Sequence, residues 1–100
     1  MRFEWDEEKN RRNLAKHKVG FEVAQRVFED PLVLRRQERI VEGELRWVAI
    51  GTVPRTTGGF ALLVVAHAAR DEGGEEVIRL ISARRASSKE RKVYEEGDEE

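Results

Sequence analysis

Hydrophobic and polar positions change their period along this chain, and the change divides it into helices and strands. Arg2 to Trp5 alternates and predicts a short strand. Asp6 then stands where a helix N-cap belongs, with Glu7 and Glu8 in the first turn, so a helix is expected from about Glu7 to His17. Its only clear apolar residues are Leu14 and Ala15, which predicts a narrow buried face and a broad charged one of Lys9, Arg11, Arg12 and Lys16. After Val19-Gly20, Phe21, Val23, Ala24, Val27 and Phe28 recur at helical spacing until Asp30-Pro31, predicting a second and better buried helix.

From Leu32 the runs become strand-like: Leu32 to Arg36, Leu45 to Val53, Phe60 to Ala69 and Glu76 to Arg84. Gly43, Pro54 with Gly58-Gly59, and Asp71 with Gly73-Gly74 supply the turns between them. Consecutive strands with short connections favour antiparallel pairing, so the expected class is α+β, with two N-terminal helices packed on one face of a small, mainly antiparallel sheet. Ser87-Ser88-Lys89-Glu90 fits a capping box, and a short C-terminal helix should follow, about Ser88 to Glu96, ending at Gly97.

Period two in the last strand puts Val77, Arg79, Ile81 and Ala83 on one face and Ile78, Leu80, Ser82 and Arg84 on the other. Arg79 therefore interrupts an apolar face; it is either paired with a carboxylate such as Glu44 or set on an open face for an anion. Arg84 and Arg85 leave the strand on opposite sides next to Lys89, Arg91 and Lys92, either as a solvated basic surface or as a phosphate-binding rim of guanidinium forks. Lys16 and His17 close the first helix, where cations complement the helix dipole; the functional alternative is a phosphate ligand beside a general acid or base. Tyr94 either docks its helix or serves a base or phosphate. Trp5 and Trp47 read as core, with Trp47 next to Arg46 as a possible stacking surface, and His67 reads as a half-buried imidazole.

Composition narrows the classes. Hydrophobic and charged residues each make up 39% of the 100 residues, which suits one domain with a thin core. Net charge is -1, but five of the last six residues are acidic; without them 19 basic and 15 acidic side chains leave +4, the balance of a body that meets nucleic acid or an acidic protein. The domain is expected over residues 1–94, with residues 95–100 as an acidic, disordered tail. The absence of cysteine excludes disulfides and thiolate chemistry. Two histidines without carboxylates at ligand spacing predict no metal site, and no cofactor motif is present. The charged N-terminus and short apolar runs predict a cytoplasmic protein without membrane contact.

The order of these residues resembles one family. Phe3-Glu4-Trp5-Asp6, Lys9, Asn13, Lys16-His17, Phe21 and Val27 to Pro31 look like the opening of the BrnT family of bacterial toxins. Glu44, Arg46 and Ile50-Gly51 resemble its central strand and Leu63 to His67 the next. Ile78-Arg79, Ile81 to Arg85, Glu90-Arg91 and Tyr94 resemble its closing motif. The resemblance covers roughly residues 3 to 96. One departure is Lys18, where the family often has glycine; it predicts a helix end one or two residues later. The resemblance implies a RelE-like fold and a metal-independent endoribonuclease toxin that inhibits translation through attack of the substrate's own 2′-OH on the adjacent phosphate. It also implies an RNA substrate, a BrnA-type antitoxin encoded beside the toxin, and contact with DNA only through that antitoxin. On this reading Arg79, Arg84 and Arg85 are phosphate and transition-state ligands and His17 and Tyr94 transfer protons, while Lys16, Arg46, His67, Arg91 and Trp47 bind RNA. The competing reading is a noncatalytic module that binds nucleic acid or antitoxin through the same basic rim.

Overall fold

A computed structural model describes residues 1–97 of the chain. Strand β1 (Arg2–Glu4) leads into helix α1 (Glu7–His17), the short helix α2 (Phe21–Ala24) and a 3-10 turn over Gln25–Glu29. Strands β2 (Leu34–Val41), β3 (Glu44–Pro54), β4 (Phe60–Glu72) and β5 (Glu75–Arg85) follow, and helix α3 (Ser88–Glu96) closes the chain. The five strands form one sheet in the order β1-β5-β4-β3-β2, antiparallel except where β1 runs parallel to β5. The α+β architecture is the expected one. Glu95 and Glu96 of the acidic end form the last turn of α3, and its remainder, residues 98–100, lies outside the described residues.

The strands run longer than their apolar cores. β2 continues through Gln37 to Val41 because it pairs with β3 across a two-residue turn, Glu42-Gly43, whose positive φ values of 50° and 80° suit a hairpin of matching twist. The main core lies on one face, where Phe21, Ala24 and Val27 pack on Ala49, Val53, Leu63, Val65, Ile78, Leu80 and Ala83. Gly51 makes this contact possible: a Cβ there would stand 3.0 Å from the Val27 carbonyl oxygen. The second predicted helix is therefore one α-turn that tightens into a 3-10 turn against β3. On the opposite face, Ala86 and Tyr94 pack on a smaller cluster of Ile50, Leu62 and Val64 and seat α3.

Two sequence expectations require correction. The face that α1 buries consists of Asn10 and Asn13, while Leu14 is 51% exposed. Asn13 pairs with the free edge of β5, donating Nδ2–H to the Ala83 carbonyl at 2.8 Å and accepting the Ala83 N–H at 3.1 Å, as a neighbouring strand would. Its Nδ2 also donates to the Val19 carbonyl at 2.9 Å, and Asn10 accepts the Phe21 N–H at 2.8 Å. The helix also ends at His17 rather than later, because Lys18 itself takes the left-handed conformation (φ 61°) and donates its N–H to the Leu14 carbonyl.

Candidate active site

The alternation assumed for the last strand fails at Ile81. Ala66 pairs with Ser82 but His67 pairs with Leu80, so Ile81 is an extra residue, a β-bulge. The bulge keeps Leu80 and Ala83 on the core face and turns Ser82 and Arg84 to the other face, together with Arg79; the period-two assignment had separated those two arginines. A second bulge lies in β2. Gln37 faces Trp47 and Arg39 faces Arg46, which leaves Glu38 as the extra residue. Both bulges border one concavity of about 280 Å3 on the face away from α2, lined by Glu38, Arg39, Arg46, Ile81, Ser82, Arg84 and Glu90 over a base of Val48, Val64 and Ala66.

Charge is concentrated there. Arg39 and Arg46 sit directly opposite each other on neighbouring strands, a like-charge pairing that costs stability unless an anion sits by it. Glu44 holds Arg46 at 3.2 Å and also takes both terminal nitrogens of Arg79, at 2.8 and 2.6 Å. Arg79 is thus the paired arginine of the two alternatives, and the hydrogen bond from it holds the Glu44 carboxyl below the ordinary carboxylate range. Glu90 does the same for Arg84, with contacts of 2.8 and 2.7 Å, while accepting the Ser87 N–H as part of the α3 capping box. The Arg84 hydrogen bond pulls its carboxyl down to about 2.

A smaller concavity of about 220 Å3 adjoins the first at Ile81 and Ser82 and is lined by Lys9, Arg12, Asn13, Lys16 and His17. Asn13, by holding α1 to β5, sets Lys16 and His17 beside the bulge. The two hollows form one basic surface that wraps from the sheet face over the free edge of β5.

Other residues expected in the site lie elsewhere. Arg85 leaves β5 on the opposite side from Arg84 and lines a separate groove. Trp47 belongs to the core side, where the Arg35 guanidinium lies 5.8 Å from its ring and 5.3 Å from that of Phe28 while Glu76 holds Arg35 at 2.8 Å. His67 is 0% exposed, edge-on to Phe28 with its Nδ1 at 3.2 Å from the Val65 carbonyl, so it presents no surface to RNA; burial lowers its pKa to about 4. Tyr94 donates its hydroxyl to Asp30 at 2.6 Å and ties α3 across the end of β3. Arg91 is exposed on α3. Among the described residues no group of three His, Asp or Glu side chains could hold a metal ion, and no helix is long and apolar enough to cross a membrane.

A model of the family described as ribonuclease toxin, BrnT, of type II toxin-antitoxin system matches residues 5–90. The chain belongs to the BrnT family. The matched span runs from Trp5 to Glu90 and contains both bulges, the α1 basic end and every arginine of the concavity. As a BrnT ribonuclease toxin the protein is an endoribonuclease whose partners are an RNA substrate and a cognate antitoxin. Comparison with curated proteins gives no significant match. Within this BrnT chain, sequence reasoning assigned no site role to Asn10, Asn13, Glu38, Arg39, Ser82 or Glu90, although Asn13, Ser82 and Glu90 stand within the motifs that carry the family resemblance. Only the i,i+3 spacing of Asn10 and Asn13 on one side of a helix with few apolar residues could have signalled a polar buried face.

Proposed function

We propose that this toxin cleaves RNA at the concavity between the two bulges, without a metal. In this mechanism the substrate's 2′-oxygen forms a bond to the adjacent phosphorus, the bond to the 5′-oxygen breaks, and a 2′,3′-cyclic phosphate remains. The 2′-OH proton passes to a base and the leaving oxygen takes one up. Arg39, Arg46 and Arg84 face the non-bridging oxygens, where negative charge accumulates. Arg79 acts through Glu44 as a positioning residue for Arg46. Lys16 adds charge from the β5 edge, and His17 is the proton-transfer group, since an imidazole can both take up and release a proton. Glu90 is poorly matched to the role of base, because its pKa near 2 makes it a weak proton acceptor. The unit proposed to act is the single domain of residues 1–94, in the cytoplasm, restrained by a BrnA-type antitoxin through which alone it would meet DNA.

The observation that carries this reading is the cross-strand pair Arg39 and Arg46 in a hollow whose remaining cation, Arg84, is also turned inward by a bulge. Purified protein should cleave single-stranded RNA in EDTA to products ending in cyclic phosphate. Arg46→Ala and Arg84→Ala should each lower kcat/KM about 100-fold or more with the fold intact. Cleavage unchanged in both variants would remove the site. RNA binding with no cleavage by the wild-type chain would favour the noncatalytic module instead.

A further inference from the structure

The core side of the sheet carries a further hollow, of about 510 Å3, that the cleavage site does not use. It opens between the α1–α2 connection and the turn after β3. Its floor is Val19, Val53 and Leu63, and its walls include Leu14 and Val23, which are 51% and 47% exposed. Exposed aliphatic side chains around an apolar floor mark an interaction surface. Lys18, Arg55 and Arg85 border the groove against one acid, Glu22. Among the described residues none of these three cations has an ion-pair partner, whereas Arg46, Arg79 and Arg84 on the other face are each held by a carboxylate.

We propose that this groove docks an acidic, amphipathic segment of the cognate antitoxin, with apolar side chains on the floor and carboxylates at Arg55 and Arg85. The proposal rests on the toxin–antitoxin reading and adds a place and a chemistry to it. RNA fits the groove less well: its phosphates would meet the cations, but the lining holds no aromatic ring for a base to stack on, and sugar and phosphate leave valine and leucine uncovered. Charge complementarity therefore selects a protein segment carrying both acids and aliphatics. Arg85 in the groove and Arg84 in the cleavage hollow are consecutive residues, so an occupant of one side holds the strand end that shapes the other.

The probe is the purified product of the adjacent gene, titrated against the wild-type chain, Val23→Glu and Arg55→Glu, with RNA cleavage measured for each toxin alone. Both altered residues are exposed, so the variants should melt and cleave like wild type. They should bind the probe at least 30-fold more weakly, and Val23→Lys should retain more affinity than Val23→Glu. Affinity within threefold of wild type in both glutamate variants would overturn the proposal. Lost cleavage with intact probe binding would also overturn it and assign the groove to RNA. A probe that fails to bind the wild-type chain overturns the partner and the groove together. Binding to a wild-type chain that does not cleave RNA overturns the cleavage reading alone.

Discussion

His67 shows how burial alone sets a residue's chemistry. Its ring is enclosed by Phe28 and the sheet, its Nδ1–H donates to the Val65 carbonyl, and Nε2 is buried without a hydrogen-bond partner among the described residues. Desolvation, aided by Arg35, depresses the folded pKa to about 4, while the unfolded chain should titrate near the ordinary histidine value of 6.5. The unfolded state therefore takes the proton first, so stability falls as pH drops from about 6.5 to 4 and then levels off for this group, a loss of about 3 kcal/mol. Urea denaturation at several pH values should show this slope in the wild type and not in His67→Phe. Glu90 gives a prediction of the opposite kind, about binding. Glu90→Gln retains a side chain able to close the capping box but removes the charge that occupies Arg84. Affinity for a short single-stranded RNA should rise roughly fivefold, the equivalent of releasing an ion pair of about 1 kcal/mol. A fall in affinity measured by fluorescence anisotropy would mean that Arg84 does not meet phosphate there.

At the scale of elements, α1 depends on hydrogen bonds where most surface helices depend on apolar contact. Asn13→Leu is close in size and more hydrophobic, yet it would leave the Ala83 N–H and carbonyl and the Val19 carbonyl without that partner in a buried seam. It should cost roughly 2–4 kcal/mol in denaturant titrations, and a variant as stable as wild type would refute the edge-pairing role. This contact also explains what the sequence conveyed and what it did not. The Asp6 cap, the end of the helical pattern at Asp30-Pro31 and the Ser87 capping box are local signals, and each marks a boundary close to the observed one. Asn10 and Asn13 look like solvent-facing residues because hydrophobic periodicity counts asparagine as outside. The extra residues Glu38 and Ile81 are equally silent, since a one-residue insertion exchanges the faces of all that follows without changing composition. For that reason Arg79 and Arg84 were legible as candidates but not as neighbours on one face.

Across the whole molecule, near-neutral net charge conceals a division between two surfaces: Arg46, Arg79 and Arg84 held by carboxylates on one face and, among the described residues, cations without ion-pair partners around an apolar groove on the other. Tyr94 and Asp30, 64 residues apart, join the C-terminal helix to the N-terminal half. Burial pulls the Asp30 carboxyl upward, but the hydrogen bonds from Tyr94, Thr52 and Leu32 together outweigh it and hold the group below the ordinary carboxylate range. A carboxyl depressed in the fold stabilises the protein above its unfolded pKa and loses that contribution as acid protonates it. Tyr94→Phe should cost about 1–2 kcal/mol at neutral pH, with faster hydrogen exchange in α3 than elsewhere; unchanged exchange in α3 would show that Ala86 and the capping box suffice to hold it.

The bulge at Ile81 has a genetic consequence. Deleting that one residue would give Leu80, Ser82 and Ala83 an unbroken alternation and leave Arg79 and Arg84 on the same side as now, at the expense of the local kink. Replacing Ile81 with any other amino acid would leave the count of residues, and so the mismatch with β4, unchanged. The shape of this part of the toxin is thus written in chain length: codon loss can erase it, whereas missense change can only decorate it.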